Sequence, residues 1–470
     1  MTDRAAGDAR TTGLDLHLGH VGHKLRAGLM ESFREAIRSG RLAPGTRLPS
    51  SRVLAADLGL SRNTVVRVYS ELINEGWLVG VHGSGTEVAQ RSAEPAGEPT
   101  RSQPPSARPQ LLHNLRPGQP DLSSFPRDKW IRAVKRTVGT APFEAFGYAD
   151  QHGRRELREA VARYLARARG LHAQADNVVV CSGAAEGLRL VAAALAEAGV
   201  TTVAVEEFGL HTQREALAKV GIDTVPIAVD ADGADLSTLE RMPNPGAVLL
   251  TPSHQFPLGV ALHPDRRAAV VDWARRRGTL IIEDDYDGEF RYDRSPVGAL
   301  QGLDHDHVVY LGTASKALAP GLRLGWLVLP DHLVGAVAGQ KGETEETVGF
   351  VNQLAMTEFI ESGAYDGHIR AMRSQYRRRR RHLVEMIDRH APTTRVTGMS
   401  AGLHVVLEQP GRTGAELVRR AAREQVTVES LDHFRHPGST SARDGVTVGF
   451  AAPSASAWSG ALDALVRALR

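Results

Sequence analysis

A short segment in the second half of the chain places a lysine behind two small hydroxylated residues. The sequence GTASK occupies residues 312–316, ending at Lys316, and Arg323 follows seven residues later. An amine in such a place can form a Schiff base with an aldehyde, while hydroxyls, backbone N–H groups and a guanidinium neutralise a phosphate. The apolar run at residues 308–311 predicts a buried strand that ends just before this segment. The pattern predicts a covalent pyridoxal phosphate site, and the alternative is an ordinary Ser-Lys pair in a loop.

An acidic loop follows an earlier predicted strand. The apolar run at residues 280–282 leads into EDDYDGEF at residues 283–290. A pyridinium nitrogen stays protonated, and withdraws electrons, only beside a carboxylate. Asp284 is the candidate for that role, and Tyr286 is the candidate for a hydrogen bond to the ring hydroxyl. In isolation this run also fits a plain acidic loop or a metal site, but its pairing with Lys316 favours the cofactor and no metal is predicted.

A turn of small residues provides a further candidate contact. Residues 178–180 read VVV, and SGAA at residues 182–185 leads into an Ala/Leu-rich helix. A strand, a small turn and a helix N-terminus suit a phosphate, because free N–H groups and the helix dipole face the anion. Many α/β turns look the same. With further strands at residues 203–205, 247–250 and 280–282, the pattern predicts an open α/β sheet with ligand groups at the carboxyl ends of its strands.

The composition indicates a globular protein of more than one domain. The 470 residues are 42% hydrophobic and 24% charged, and the net charge is +3. That charge excludes a polybasic nucleic-acid coat, although an Arg/Lys excess in the first ninety residues suits a DNA-facing module. The single cysteine excludes an intramolecular disulfide and favours a reducing cytoplasm. No apolar run approaches the ~20 residues of a membrane span, and the polar N-terminus is unlike a signal peptide.

A segment with almost no large apolar side chains divides the chain. Residues 91–110 read RSAEPAGEPTRSQPPSARPQ and cannot bury enough apolar surface to fold. We therefore predict a DNA-binding domain over residues 17–90, a flexible linker over residues 91–111 and a large effector domain over residues 112–470.

The first domain has the signals of a winged helix-turn-helix. Apolar residues recur at helical spacing over residues 25–37, and a Pro-Gly turn follows. A Pro-Ser-Ser run caps a short helix, Gly59 ends it, and Ser61 caps a second helix. That second helix is the candidate reader of the major groove. Two short apolar segments around residues 82–85 would pair as a wing.

Polar side chains cluster at the start of the second helix, where the helix dipole also favours phosphate. For any one of them the alternative is a solvated polar helix face. The predicted DNA-binding residues are Ser51, Arg52, Ser61, Arg62, Asn63, Thr64, Arg67, His82 and Gly83.

The run from GRLAPGTRLPSSR to LGLSRNTV resembles the GntR-type winged helix, and the likeness covers residues 20–88. Residues 112–470 resemble the fold-type I, aspartate aminotransferase-like enzymes that use pyridoxal 5'-phosphate. The combination is similar to the MocR (GabR-like) subfamily of GntR regulators, with TPSHQFP at residues 251–257 and EDDY at residues 283–286 as characteristic stretches. The resemblance implies an α/β fold with a mixed, mainly parallel sheet and a smaller C-terminal subdomain. It implies that Lys316 forms the Schiff base and that the other cofactor contacts are Ala184, Ala185, Leu210, His254, Asp284, Tyr286, Thr313, Ser315 and Arg323.

Three positions depart from the pattern of that family. Leu210 stands where a tyrosine stacks on the cofactor ring, and Leu258 removes a hydroxyl near the site. Thr447 stands where an arginine clamps the substrate carboxylate, and one neutral hydroxyl cannot reproduce a planar two-donor clamp. We therefore expect simple α-amino acids to be held poorly. The arginines that could substitute from loops are Arg214, Arg435 and Arg443.

Two further features have plain alternatives. His254 is either a cofactor contact or a loop histidine that is satisfied by backbone groups. The five arginines at residues 377–381 predict a solvated helix face rather than a second DNA site.

The resemblance implies a bacterial transcription regulator that senses an amine, or pyridoxal phosphate itself, rather than a turnover enzyme. Operator DNA, that effector and a second copy of the chain in a domain-swapped, head-to-tail homodimer are the implied partners. Vitamin B6 or amino-compound metabolism is the expected target, and the cytoplasm, with the nucleoid when DNA is bound, is the expected location. The alternatives are an active aminotransferase with an accessory DNA-binding module and a degenerate sensor that has lost its cofactor.

Overall fold

The computed structural model describes residues 25–81, 85–90, 111–148, 150–242, 245–292, 298–342 and 348–470. The chain forms two compact units, which are divided between Arg108 and Pro109. Each unit is described by itself. Residues 17–24 of the predicted DNA-binding domain, and the predicted linker up to residue 110, lie outside the described residues.

The first unit contains three helices and a two-stranded antiparallel sheet among its described residues. Its elements are α1 (Leu25–Arg38), α2 (Ser51–Asp57), α3 (Arg62–Asn74), β1 (Leu78–Val81) and β2 (Gly85–Val88). Helices α2 and α3 each begin at a serine cap, because Ser50 and Ser61 accept a hydrogen bond from a backbone N–H of the first turn. The predicted helix-turn-helix with two wing strands is confirmed.

The candidate recognition helix, α3, is fixed by one apolar face and one hydroxyl. It buries Val65, Val68, Tyr69 and Leu72, and the ring of Tyr69 meets Phe33 of α1 edge-on at 5.8 Å between centroids. The Tyr69 hydroxyl donates to the carbonyl oxygen of Pro49 at 2.9 Å, just before α2. The buried face leaves the opposite face of α3 open to a partner.

The second unit is built around a seven-stranded sheet in the order β4-β12-β11-β10-β9-β5-β6. Strand β12 is antiparallel to both of its neighbours, and the other pairs are parallel. The mixed, mainly parallel sheet predicted from the resemblance is confirmed. The strands of this unit are β3 (His113–Asn114), β4 (Val178–Cys181), β5 (Thr202–Glu206), β6 (Asp223–Ile227), β7 (Val229–Asp230), β8 (Gly233–Ala234), β9 (Ala247–Leu250), β10 (Leu280–Asp284), β11 (Val308–Thr313), β12 (Gly325–Val328), β13 (Arg395–Thr397), β14 (His404–Glu408), β15 (Val426–Thr427), β16 (Glu429–Ser430) and β17 (Val446–Gly449).

Helices cover both faces of this sheet, so β9, β10 and β11 are buried at every residue. Those strands consequently read as continuous apolar runs in the sequence. No helix among the described residues is long and apolar enough to cross a membrane. The helices of this unit are α4 (Arg127–Thr140), α5 (Arg155–Arg169), α6 (Ala184–Glu197), α7 (His211–Ala218), α8 (Leu236–Arg241), α9 (Pro264–Arg277), α10 (Asp331–Gly339), α11 (Phe350–Glu361), α12 (Ala364–His390), α13 (Gly414–Arg423) and α14 (Trp458–Leu469).

A smaller antiparallel sheet, in the order β13-β14-β17-β16, forms the C-terminal subdomain together with α13 and α14. Strand β3 pairs in parallel with β15 of this subdomain. The first described residues of the second unit are therefore held by its C-terminal part. This connection places the turn that follows β3 beside the candidate site.

The arginine run at residues 377–381 lies within α12, and one of its members contradicts the prediction of a solvated face. Arg379 is buried, and its Nη2 lies 2.9 Å from Oδ2 of Asp121, which is buried as well. The guanidinium also lies over the ring of Trp458, 5.6 Å from the centroid. Position 379 lies on the helix face of Tyr376 and Leu383, but the sequence gives no local sign of the buried carboxylate that compensates an arginine there.

Candidate functional site

A cavity of about 400 Å³ opens at the carboxyl ends of the parallel strands. Strand β10 ends at Asp284, and β11 ends at Thr313, three residues before Lys316. The turn between β4 and α6 reaches the same edge of the sheet. Nine of the predicted cofactor residues line this cavity: Ala184, Ala185, Leu210, Asp284, Tyr286, Thr313, Ser315, Lys316 and Arg323.

The amine of Lys316 is held by a turn that lies far away in the sequence. Its Nζ donates to the carbonyl oxygen of Gly118 at 2.6 Å. Gly118 has φ +74°, a backbone conformation that favours glycine, and a Cβ built on it would lie in ordinary contact with that Nζ, at 3.6 Å. Burial lowers the pKa of Lys316, against the opposing effect of the carboxylates of Asp284 and Asp287. The shift favours the neutral, nucleophilic amine.

Asp284 has one carboxylate oxygen that lacks a hydrogen-bond donor. Its Oδ2 accepts from Nε2 of Gln213 at 2.6 Å, whereas its buried Oδ1 has no partner among the described residues. Burial, followed by the charge of Asp285, raises the pKa of Asp284 to about 7. A buried acceptor without a donor is unfavourable, and a protonated ring nitrogen is a donor of the kind this oxygen lacks.

The hydroxyl of Tyr286 is connected to a buried histidine behind it. Nδ1 of His254 lies 2.9 Å from the Tyr286 hydroxyl and 2.9 Å from Oδ2 of Asp287. Phe256 packs edge-on against the tyrosine ring, 5.7 Å between centroids, and fixes its plane. His254 itself does not line the cavity. The structure therefore places His254 as a support for Tyr286, because the tyrosine ring stands in front of it.

Several groups of the cavity wall suit a phosphate. The hydroxyls of Thr313 and Ser315 lie 2.9 Å apart. Helix α6 begins at Ala184 after Gly183, with no side-chain cap, so its first N–H groups are left for another acceptor. Arg323 adopts φ +50°, and its guanidinium lies close to where a Cβ on Gly183 would be, at 3.7 Å. Hydroxyls, N–H groups and a cation thus surround one part of the wall.

Together these groups fit pyridoxal 5'-phosphate. The amine of Lys316 matches an aldehyde, the free oxygen of Asp284 matches a protonated ring nitrogen, and the Tyr286 hydroxyl matches the ring hydroxyl. We call this part of the wall the cofactor side, and its residues are Ala184, Ala185, Asp284, Tyr286, Thr313, Ser315, Lys316 and Arg323.

The rest of the wall carries charged and aromatic groups from α7, β16 and the segments beside them, and we call it the ligand side. Leu210 is 36% exposed and provides only an aliphatic surface where the family has a stacking ring. The rings of His211 and His433 meet at 4.9 Å between centroids. The residues of the ligand side are Arg116, Leu210, His211, Arg214, Glu429, His433 and Phe434.

Thr447 does not line the cavity. It is fully buried in β17, its hydroxyl has no hydrogen-bond partner among the described residues, and it lies opposite Glu429 of β16. Of the arginines considered as substitutes for the family clamp, only Arg214 lines the cavity. Arg435 packs over the ring of Phe208, and Arg443 contacts Glu408.

Several residues of the site had no recognisable signal in the sequence. Gly118 and Gln213 contact Lys316 and Asp284, yet they lie 198 and 71 residues away from them in the chain. Arg116 and Glu429 form an ion pair on the ligand side, 3.2 Å between Nε and Oε1. Only an alignment that reveals paired positions, or the fold itself, would point to such contacts.

The predicted DNA-binding residues lie in two groups. Arg52, Arg62, Asn63 and Arg67 are exposed on α2 and α3. Ser51 begins α2, and the hydroxyls of Ser61 and Thr64 bond each other at 2.8 Å within the cap of α3. His82 and Gly83 lie outside the described residues. The exposed group presents three arginines from the two helices of the helix-turn-helix.

Comparison with known proteins agrees with both halves of this description. Residues 112–443 match the aminotransferase class I and II family, and residues 25–88 match the bacterial regulatory proteins of the gntR family. That pairing defines a class of DNA-binding transcription regulators that carry an aminotransferase-type domain. Pyridoxal 5'-phosphate is the cofactor of the aminotransferase family.

Curated relatives narrow the class. The chain is 33% identical to the probable rhizopine catabolism regulatory protein MocR of Rhizobium meliloti, over 84% of each chain. It is 32% identical to the pyridoxine biosynthesis transcriptional regulator PdxR of Corynebacterium glutamicum, over 90% of this chain and 91% of that one. The chain therefore belongs to the MocR subfamily of the GntR regulators.

Solved structures confirm the fold of the second unit. The kynurenine aminotransferase of Pyrococcus horikoshii is 22% identical and superimposes with a TM-score of 0.68, over 77% of this chain and 91% of that one. At that identity the likeness shows the fold-type I architecture alone.

Proposed function

We propose that this regulator holds pyridoxal 5'-phosphate on Lys316 and uses the loaded cavity to sense a small amine. The free Oδ1 of Asp284 is the observation that carries the proposal. A buried carboxylate oxygen without a donor is rare in a folded protein, and here it belongs to a residue that lines the same cavity as the candidate lysine. When bound, the cofactor supplies an aldehyde that reacts with primary amines and a ring that withdraws electrons.

The residues of the cofactor side have separate roles in this proposal. Lys316 offers the amine, and burial lowers its pKa and so disfavours the protonated form. Asp284 holds a proton on the ring nitrogen, and Gln213 orients that carboxylate. Tyr286 donates to the ring hydroxyl while His254 and Asp287 fix its position. Arg323 and the hydroxyls beside it neutralise the phosphate.

The names of the relatives support a role in amino-compound or cofactor metabolism. One relative regulates rhizopine catabolism and another regulates pyridoxine biosynthesis, according to their names. The proposal extends to a homodimer that presents two DNA-binding units to paired half-sites. Ligand binding can change the affinity for DNA only if the ligand binds one arrangement of the two DNA-binding units more tightly than another.

An active aminotransferase is the second candidate, and one observation bears on it. The family arginine that clamps a carboxylate is replaced by Thr447, which does not reach the cavity. A substrate carboxylate would have to be bound by another cation. Measured conversion of an amino acid to its keto acid at enzyme-like rates would favour this candidate.

The first experiment is an absorption spectrum of the purified protein with pyridoxal 5'-phosphate, followed by the addition of amines, beside DNA-binding measurements. We expect a visible band in the wild type that is absent in Lys316→Ala. That variant should still bind DNA but should lose any response to amines. The absence of a band in the wild type would refute the proposed cofactor role.

Arg62→Ala is the matched variant in the DNA-binding unit. Losing one exposed guanidinium at the start of α3 should weaken operator binding by about 1–3 kcal/mol and leave the visible band unchanged. If DNA binding and the visible band disappear together in Arg62→Ala, the proposed division of labour between the two units is wrong.

A further inference from the structure

The two arginines on the ligand side differ in whether a carboxylate pairs with them. Arg116 is paired with the carboxylate of Glu429 at 3.2 Å. Among the described residues, no carboxylate lies within 4.0 Å of the guanidinium of Arg214, which is half-buried on α7. Arg214 therefore brings a guanidinium without an ion-pair partner among the described residues to the cavity wall.

Backbone carbonyls hold this guanidinium in place without neutralising it. Its Nη1 donates to the carbonyl oxygens of Gly209, at 3.2 Å, and Phe434, at 3.4 Å. Its Nη2 donates to the carbonyl oxygen of Arg435 at 3.3 Å. A guanidinium has five N–H donors, so one donor on Nη2 and the donor on Nε remain. Nε and Nη2 form one edge of the guanidinium, and an edge of this kind suits a bidentate contact with an anion.

The surroundings of Arg214 strengthen its attraction for an anion. Phe434, whose carbonyl holds the guanidinium, packs against Phe256 at 5.0 Å, and Phe256 packs against Tyr286 of the cofactor side. An aromatic wall thus connects the two sides of the cavity. Charge interactions next to an apolar wall are stronger than in bulk water, because the local dielectric constant is lower.

The carboxylates near the ligand side are already engaged. Glu429 is paired with Arg116. Glu206 accepts hydrogen bonds from the hydroxyl of Thr251 and from Gln255, and it is buried. A second positive charge on a ligand would therefore compete with these existing contacts, whereas a negative charge would find Arg214, which has no ion-pair partner among the described residues.

We propose that the effector is a primary amine with a separate anionic group, and that Arg214 binds this group in place of the family clamp that Thr447 cannot supply. The proposal deepens the proposed function and depends on it, because the amine end of the ligand must reach the cofactor at Lys316. A carboxylate and another small oxyanion share the chemistry that Arg214 recognises.

Three probes of equal chain length separate the amine from the anion. They are 5-aminopentanoate, pentylamine and 1,5-diaminopentane, which carry a carboxylate, a methyl group and a second amine at the far end. Binding to the cofactor-loaded full chain is measured by calorimetry and by the change in the visible band. We expect 5-aminopentanoate to bind about 10- to 100-fold more tightly than pentylamine, as charge-assisted hydrogen bonds allow.

Arg214→Gln should abolish this preference, so that 5-aminopentanoate binds like pentylamine, whose own affinity should not change. Arg214→Lys keeps the charge but loses the planar two-donor geometry of a guanidinium. Its preference for 5-aminopentanoate over pentylamine should therefore lie between those of the wild type and Arg214→Gln. Arg443→Gln is the control, because this arginine lies on a nearby loop but does not line the cavity. It should bind all three probes like the wild type.

Several results would overturn the proposal. One is equal binding of 5-aminopentanoate and pentylamine by the wild type, or tighter binding of the diamine. Another is an unchanged preference in Arg214→Gln. These wild-type comparisons remain decisive even if Arg214→Gln fails to fold. A missing visible band before any probe is added would instead refute the proposed function, so the two failures are distinguishable.

Discussion

The cofactor side and the ligand side share one cavity but are built in different ways. The cofactor side takes its polar groups from the ends of β10 and β11 and from the start of α6, where the sheet itself brings them together. The ligand side takes Arg116, Arg214 and Glu429 from three distant segments. This difference teaches that the sheet itself positions the cofactor contacts, whereas the ligand contacts meet only through the packing of segments that are distant in the sequence.

Asp284→Asn tests whether the buried carboxylate of Asp284 destabilises the cofactor-free protein. Of the variants considered, we expect this one to change stability most. Burial raises the pKa of Asp284 from 3.8 to about 7, so between these values the folded state binds more protons than the unfolded state. The stability of the cofactor-free protein therefore falls as the pH rises through this window and stays low above it. Because Asn cannot ionise, the cofactor-free variant should be more stable than the wild type by on the order of 3 kcal/mol above pH 7.

Urea unfolding between pH 4 and pH 8 measures this difference, and a titration with the cofactor should show weaker binding by Asp284→Asn. The exposed Asp272 of α9 provides the control variant Asp272→Asn, which should follow the wild type. Parallel stability curves for wild type and Asp284→Asn would show that this carboxylate is not destabilising.

Arg323→Gln removes the one arginine on the cofactor side. We expect the affinity for pyridoxal 5'-phosphate to fall by about 1.5–3 kcal/mol, the usual contribution of a hydrogen bond to a charged group. Fluorescence titration with the cofactor measures the loss. The exposed Arg276 pairs with Glu240 outside the cavity, so Arg276→Gln should bind the cofactor normally. Equal losses of cofactor affinity in Arg323→Gln and Arg276→Gln would indicate that the net charge of the protein, rather than a contact with Arg323, determines the affinity.

Leu210→Tyr restores the aromatic ring that the family has at this position. Stacking on the cofactor ring should tighten cofactor binding by about 0.5–1.5 kcal/mol, a smaller effect than the loss of charge. Leu210 is partly exposed, so the larger side chain can be accommodated without disturbing the core. The cofactor titration applies again, with Leu210→Met as the aliphatic control. Weaker binding by Leu210→Tyr would mean that the wall at this point excludes a ring.

Thr447→Val should have the smallest effect, since the buried hydroxyl has no partner and does not line the cavity. The change should be neutral or stabilise the fold by up to about 1 kcal/mol, without altering ligand binding. Thr251→Val is the matched control, because its hydroxyl donates to Glu206 and should be costly to remove. Urea unfolding compares the two variants. A loss of ligand response in Thr447→Val would show that this residue contributes to ligand binding although it does not line the cavity.

The sequence predicted those parts of the fold and site that depend on short spacings. The strand that ends just before Lys316 and the serine cap of α3 were predicted because their signals lie within a few residues. Contacts between distant segments, such as Gly118 with Lys316, are set by tertiary packing and leave no local pattern. Arg379 was misjudged for a related reason, since its buried partner Asp121 lies 258 residues away.

The hydrogen bond between Lys316 and Gly118 has a mechanical consequence. Gly118 lies in the turn between β3 and α4, near the start of the second unit. An amine that enters a covalent bond gives up N–H donors, so this bond must weaken whenever Lys316 is used. Covalent binding of a cofactor at this Nζ would therefore cost the Gly118 turn the hydrogen bond that joins it to Lys316.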